Sequence, residues 1–332
     1  MLDCSPMKTD PMQAYPLRFT PILKQTIWGG RRLATQLNKS LGQGNDYAES
    51  WEIVDHGDHQ SMIENGTFAG KSLRQLLLEE KQAVFGRAED QNAFPLLLKY
   101  LDCNRVLSVQ VHPDDEYGQR MTPPDLGKTE AWYIVESDPD SLIYAGLKEG
   151  VDRAELQQAI ASGETERVLH TFHPDQGDIV FIPAGTVHAL GAGLVVAEIQ
   201  QSSNTTFRLY DWNRTDQQGN ARELHIQESL EVTDYTFGPV EPRKPLPNQA
   251  RWQEMVRCEK FVLNLLNTGS AFVAGDGQFH ILTVPKGSAT LICDDTNYRL
   301  LTGQSVLLPA SMNRAEVITD PETIVLGMYQ GS

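Results

Sequence analysis

The chain has 332 residues, 40% of them hydrophobic and 22% charged, an ordinary globular composition for roughly two domain-sized units, which excludes bulk disorder. Its 28 Lys+Arg against 44 Asp+Glu give a formal charge of −16, so the overall field repels nucleic acid and anionic membranes, and an anionic ligand needs a local cationic pocket. The apolar runs fall far short of the ~18 residues of a membrane span, and neither a membrane nor a protein partner is expected.

At the amino terminus, residues 1–16 carry Asp3, Lys8 and Asp10 without the apolar stretch of a secretory signal, so residues 1–15 read as a flexible lead and a cytoplasmic location is expected. Cys4, Cys103, Cys258 and Cys293 form no C-x-x-C pair, which argues against a disulfide framework or a thiolate zinc site and for a reducing compartment.

Glycine and proline then punctuate short runs rich in Val, Ile, Leu, Phe and Tyr, the signature of many short strands. In chain order these runs are residues 106–111, 131–135, 178–182, 194–200, 207–210, 279–284, 289–293 and 323–329. Helices are fewer. Residues 72–85 start with an N-cap serine and carry Leu73, Leu76 and Leu77 at helical spacing, and 152–170 also reads as helix. The stretch Pro239-Val-Glu-Pro242-Arg-Lys-Pro245-Leu-Pro247 is the best boundary, because proline stiffens an extended linker. It divides the chain into a larger unit, 16–240, and a smaller one, 241–332.

A weak internal repeat crosses that boundary. Gly177-Asp-Ile-Val-Phe-Ile-Pro183-Ala-Gly-Thr-Val-His188 has the spacing of Gly303-Gln-Ser-Val-Leu-Leu-Pro309-Ala-Ser-Met-Asn-Arg314, as two β-barrel units of similar construction would show. His188 corresponds to Arg314, so only the first copy can bind metal there.

The chemistry concentrates in the first unit. In Ser108-Val-Gln110-Val-His112-Pro113, strand alternation puts Ser108, Gln110 and His112 on one face. Burying an unpaired amide or imidazole costs about 1–3 kcal/mol, so three polar groups on one strand face imply either a solvated face or a coordinating partner. In Gly127-Lys128-Thr129-Glu130-Ala131-Trp132, the same alternation places Lys128, Glu130 and Trp132 together. A lone glutamate there is ordinarily a surface residue at a strand entry, yet a divalent cation needs such a carboxylate. With His188, after Pro183-Ala-Gly, the set Gln110, His112, Glu130 and His188 offers two imidazoles, one carboxylate and one amide. A Zn²⁺ held by one anionic ligand keeps a net charge near +1 and stays a Lewis acid able to polarise a carbonyl.

Downstream, Glu198 interrupts the apolar run from Val195 and is a candidate acid or base, against the commoner reading of a solvent-facing strand residue. Arg208 alternates with Thr206 and Tyr210 and either clamps an anion or pairs with a surface acid. Asp211 and Arg214 read as a structural ion pair. His56, His59, His170, His173, His225 and His280 lie in no comparable frame and read as surface or structural residues.

Together these residues match a family. The chain resembles the type I mannose-6-phosphate isomerases, zinc-dependent phosphomannose isomerases, in their short bacterial form. The carriers are Phe94-Pro-Leu-Leu-Leu-Lys99, Leu107-Ser-Val-Gln-Val-His-Pro-Asp-Asp115, Gly127-Lys-Thr-Glu-Ala-Trp-Tyr133, Ile182-Pro-Ala-Gly-Thr-Val-His-Ala-Leu-Gly191 and residues 201–208, over almost the whole chain. Pro-Ala-Gly-x-x-His alone indicates only a cupin. The resemblance implies a mainly β fold of two cupin-like (jelly-roll) units with helical insertions, the first (16–240) catalytic and the second (241–332) without metal ligands. It implies one Zn²⁺ on Gln110, His112, Glu130 and His188, and a phosphorylated hexose as substrate. The implied reaction interconverts mannose 6-phosphate and fructose 6-phosphate by proton transfer between C1 and C2 through a cis-enediol. Lys99, Lys128 and Arg208 carry over as the family's cations, with Ser108 and Trp28 as further substrate-binding candidates. Many members have an acid four residues before the arginine, where this chain has Asn204; Glu198 and Lys128 are therefore both candidate proton-transfer groups beside Arg208. Two other readings of the same residues are a metal-dependent cupin oxygenase, since histidine and carboxylate also suit iron, and a non-catalytic sugar-phosphate-binding protein.

Overall fold

The structure is a computed structural model that describes residues 14–88, 91–215, 219–294 and 296–331. Residues 1–13, including Cys4, lie outside the described residues, as does most of the expected flexible lead.

The chain is mainly β, as its punctuation predicts. Four large sheets stack face to face. The outermost has five strands in the order Leu169–Phe172, Ile143–Leu147, His188–Leu190, Val109–Val111, Phe207–Tyr210. Facing it is a six-stranded sheet in the order Ile179–Ile182, Glu130–Ser137, Leu194–Gln201, Leu96–Cys103, Tyr47–Ile53, Ile22–Gly30. The next sheet, again of five, runs Gln253–Arg257, Phe261–Leu266, Ile324–Gln330, His280–Lys286, Ser305–Leu308, and the last has the four strands Ser270–Val273, Ala315–Thr319, Ser288–Cys293, Thr296–Leu301. Every strand pairing within these sheets is antiparallel. Each unit is thus two facing sheets; among the described residues strand pairing does not close either into a barrel.

Alternation explains the stacking. In the strand Leu96–Cys103 every residue is buried, because one face looks into the first unit and the other onto the second. Leu101, Trp132, Ile134 and Val196 meet Ile143, Ala145 and Leu190 between the first two sheets. On the opposite face, Leu98, Tyr100, Tyr133 and Ile199 join Phe261, Leu263, Ile281 and Met328 of the third sheet in one apolar cluster. Polar groups cross the same boundary, with Tyr100 Oη 2.6 Å from Thr283 Oγ1.

The predicted helix at 72–85 is present as Leu73–Phe85, with Ser72 and Gln75 forming a reciprocal capping box. The second is shorter than expected. Arg153–Ser162 is capped by the Asp152 side chain and stops at Gly163, whose left-handed φ of 72° satisfies the last carbonyls. Residues 165–168 form one 3-10 turn and Leu169–Phe172 is a strand, so the expected helix over 152–170 ends early. The Pro-rich segment is no free spacer: Arg243 exchanges backbone hydrogen bonds with Ile179 at the edge of the six-stranded sheet, and Val240 is buried. Among the described residues no helix is long and apolar enough to cross a membrane.

Candidate metal centre and cavity

Two rows of side chains, one on each facing sheet, build the site. Across the six-stranded sheet, Lys99 stands opposite Glu198 and Glu198 opposite Trp132, while Glu130 stands opposite Gln200. Residues in register on adjacent strands present their side chains to one face, so these groups are neighbours by construction. Across the five-stranded sheet the register runs from His188 to Gln110 to Arg208. The sequence expectation that Tyr210 shares Arg208's face is overturned by a bulge between Arg208 and Tyr210. Tyr210 consequently joins Phe207 and Leu209 in the cluster under the helices, while Arg208 is left on the inner face.

His112, Glu130 and His188 offer ligand atoms that all lie within 4.8 Å of one another, and all three side chains are buried. Each imidazole is oriented from behind. His112 Nδ1 donates to the Thr205 carbonyl at 3.0 Å, and His188 Nδ1 to the Thr186 carbonyl at 2.9 Å. Both Nε2 atoms therefore carry lone pairs aimed at a common point, the arrangement metal-binding histidines adopt. Glu130 Oε1 is buried with no hydrogen-bond partner, 3.4 Å from His188 Nε2. The Gln110 amide lies 3.2 Å from that same nitrogen. An orphaned carboxylate oxygen beside two converging lone pairs is a donor set that lacks only a cation, and it fits a divalent metal.

Burial drives His188 down to about 4. Burial, followed by the Lys128 charge, holds His112 well below its ordinary value, so both rings are neutral and fit to ligate. Burial and the neighbouring Glu198 push Glu130 up to about 7 against the pull of Lys128. Burial acts the same way on Glu198, but Lys128 and Lys99 outweigh it and keep that carboxyl below its usual range. Lys128 is raised, since Glu130 and Glu198 outweigh the burial that would lower it. Its ammonium reaches Glu130 Oε2 at 2.5 Å and His112 Nε2 at 2.8 Å.

Beside this cluster opens a cavity of about 380 Å³. Its wall includes Trp28, Lys99, Ser108, Lys128, Glu198 and Arg208, with Gln110 at the metal end. His112, Glu130 and His188 sit behind that wall. Glu198 Oε2 accepts from Trp132 Nε1 at 3.0 Å, and its Oε1 lies 3.5 Å from Lys99 Nζ. Arg208 Nε donates to Ser108 Oγ at 3.2 Å. Trp28 is both core and wall: it is buried, packs with Leu101 and Trp132, and borders the cavity. Arg214 pairs with Asp211 at 2.5 Å, as its spacing suggests. Of the histidines set aside, His280 is buried on Asp276 in the second unit, and Arg314 stacks on exposed Phe272, 3.3 Å from the ring centre.

Three residues escape the sequence reading. Glu49, 3.6 Å from Lys99 Nζ, lies on a strand with no motif. Arg222 enters the cavity from a loop. Asp125 holds Thr205 Oγ1 at 2.7 Å and Ser203 Oγ at 3.0 Å, bracing the segment whose carbonyl orients His112. Only the aspartate had a signal, its place just before Gly127-Lys-Thr-Glu.

Fold and site together define a class, cupin-like β proteins with a histidine–carboxylate centre buried under a cationic cavity. A sequence-family model for the catalytic domain of type I phosphomannose isomerase matches residues 17–140. Mannose-6-phosphate isomerase ManA of Bacillus subtilis is 35% identical over 320 residues, 95% of this chain and 99% of that one. The mannose-6-phosphate isomerase of Streptococcus mutans is 33% identical, over 94% of this chain and 98% of that one. The crystal structure of the mannose 6-phosphate isomerase from Bacillus subtilis superposes with a TM-score of 0.81 at 31% identity, covering 95% of this chain and 99% of that chain. The chain belongs to the type I mannose-6-phosphate isomerase family. That family is metal-dependent, and His112, Glu130 and His188 are this chain's candidate metal site.

Proposed function

We propose that this protein interconverts mannose 6-phosphate and fructose 6-phosphate in the cytoplasm, using one zinc ion held by Gln110, His112, Glu130 and His188. The observation that carries the reading is the convergence of two oriented imidazole nitrogens and an unpartnered Glu130 oxygen beside a cavity of hexose size. Two imidazoles, a carboxylate and an amide suit zinc, which when bound would act as a Lewis acid that polarises the sugar's carbonyl and so acidifies the C–H on the neighbouring carbon.

The chain's own groups divide the remaining work. Glu198 is the base: Lys128 and Lys99 keep it ionised, and the hydrogen bond from Trp132 fixes its carboxylate in the cavity wall. It takes the C2 proton of the open-chain aldose and returns it to C1, so that one carboxylate serves both half-reactions through the cis-enediol. Lys128, raised and protonated, gives its proton to O1 as the enediol forms and recovers one from O2 as the new carbonyl forms, its charge meanwhile balancing the oxyanion. Lys99, Ser108 and Arg208 bind the substrate, Arg208 also carrying cationic charge toward the reacting end, and Trp28 closes the wall against water.

The test joins metal content to turnover. His112→Ala should lose both metal and isomerase activity. Arg208→Ala should keep its metal while KM rises or kcat falls at least tenfold. Mannose 6-phosphate conversion should stop in EDTA and return with Zn²⁺. Metal retained in the histidine variant, or full activity after exhaustive chelation, overturns the reading, and a protein that binds sugar phosphate without converting it is a binding protein instead.

A further inference from the structure

Residues 201–206 form a wall between two hollows. Asn204 and Thr206 border the cavity beside the metal cluster, while Gln201, Ser202 and Thr205 border a separate cleft of about 1140 Å³. The wall carries one part of the metal centre, the Thr205 carbonyl that receives His112 Nδ1 at 3.0 Å. Residues 202–206 lie between the strands Leu194–Gln201 and Phe207–Tyr210 and belong to neither, so no strand ladder fixes where that carbonyl points. Side chains do so instead. From within, the wholly buried Gln200 donates its amide to the Gln201 and Ser203 carbonyls at 2.8 and 2.7 Å. From the cleft, Asp125 Oδ2 takes three donors of the wall, Thr205 Oγ1 at 2.7 Å, Ser203 Oγ at 3.0 Å and the Asn204 N–H at 3.4 Å. Among the described residues the one basic group within ion-pair range of this carboxylate is His56, with Nε2 at 3.9 Å. Asp125 itself stands on the loop between His112 and Glu130 and lines the cleft, not the cavity.

We infer that Asp125 is a positioning residue of the metal centre: it holds the Thr205 hydroxyl, keeps the Thr205 carbonyl behind His112 Nδ1, and so fixes the direction of the Nε2 lone pair that meets the ion. The inference rests on the metal-centre reading for the ion, but not on the sugar chemistry. A histidine ligand binds well when the hydrogen bond at its other nitrogen sets both its tautomer and its ring angle. The Gln200 amide stops at residue 203, whereas Asp125 reaches residue 205, whose own carbonyl does the orienting. A carboxylate is the acceptor-only group that such a cluster of donors calls for. An aspartate facing a different hollow, in contact with neither substrate nor ion, thus sets how tightly the ion is held.

The test measures the Zn²⁺ affinity of the full-length folded protein by chelator competition, with urea unfolding of the metal-free form alongside. Asp125→Ala should raise the dissociation constant about tenfold or more. Asp125→Asn keeps one acceptor oxygen for the Thr205 hydroxyl and should recover most of that loss. Thr205→Val removes the hydroxyl alone and should weaken binding to a similar degree; adding Asp125→Ala to it should then cost little more, because both changes break the same link. An aspartate that merely stabilised the fold would lower the urea midpoint and leave the affinity of the folded protein within twofold of wild type. That result, or full additivity in the double variant, overturns the inference. Should Asp125→Ala fail to fold, Thr205→Val decides, and an unchanged affinity there overturns it equally. A wild type that binds no Zn²⁺ removes the metal reading and the inference with it, whereas a wild type that binds the ion no more tightly than its variants removes the inference alone.

Discussion

At the scale of single residues, the centre is governed by which groups hold protons. His112 and His188 are neutral because burial forbids their charge, and each is oriented by a backbone carbonyl. Glu130 is the member that a proton can still claim near neutrality, being pushed up to about 7. A metal binding there displaces that proton, so affinity falls as pH falls. The dissociation constant should weaken about tenfold per unit from pH 6.5 down to 5, with one proton released per ion. Chelator competition across that range checks it, and a flat profile would mean that Glu130 is not a ligand. Gln110, His112, Glu130 and His188 were all legible from alternation and motif. Arg222 and Asp125 were not, because a loop residue's reach depends on how the chain returns, and no periodicity records that.

At the scale of elements, cross-strand register turns distant residues into neighbours. The row Lys99, Glu198, Trp132 needs three strands aligned without slippage, since a one-residue shift would turn each side chain to the opposite face. Entry to the Glu130 strand is fixed by Gly127, whose N–H donates to Asp115 Oδ1 at 2.7 Å. A Cβ at this position would lie 2.5 Å from the Asp114 carbonyl carbon and 2.6 Å from the Asp115 nitrogen, both backbone atoms. Gly127→Ala should therefore destabilise the fold by about 1–3 kcal/mol and weaken metal binding as Lys128 and Glu130 move. Urea titration with metal analysis tests this; an unchanged midpoint would show that the turn can yield. Strand positions were readable from the sequence to within a residue or two at most sites, as with 207–210. The bulge after Arg208 was not, because it depends on pairing with Val109–Val111, a partner about a hundred residues away.

For the whole molecule, the decisive feature is the apolar contact between the six-stranded sheet and the first sheet of the second unit. Phe261, Leu263 and Met328 lie in the same cluster as Leu98, Tyr100 and Tyr133, directly behind the face that bears Lys99, Trp132 and Glu198. The second unit, which among the described residues contributes none of the candidate site residues, thus supports the rear of the sheet that bears them. Leu263→Ala should cost about 2–5 kcal/mol through the cavity it leaves. We expect the two units of this variant, as of the wild type, to unfold in one transition; separate transitions in calorimetry would show that the contact does not couple them.

By itself the sequence determined the β character, the alternation that groups polar side chains on one strand face, and the candidate ligand types, since these follow from local periodicity and side-chain chemistry. Tertiary structure decided which faces meet: the pairing of two sheet rows across one cavity, the bulge that releases Tyr210, the burial that strips the histidines of their charge, and the arrival of Arg222 beside Arg208. Those are properties of long-range packing, where the free energy depends on what comes to lie next to a residue rather than on what precedes it in the chain.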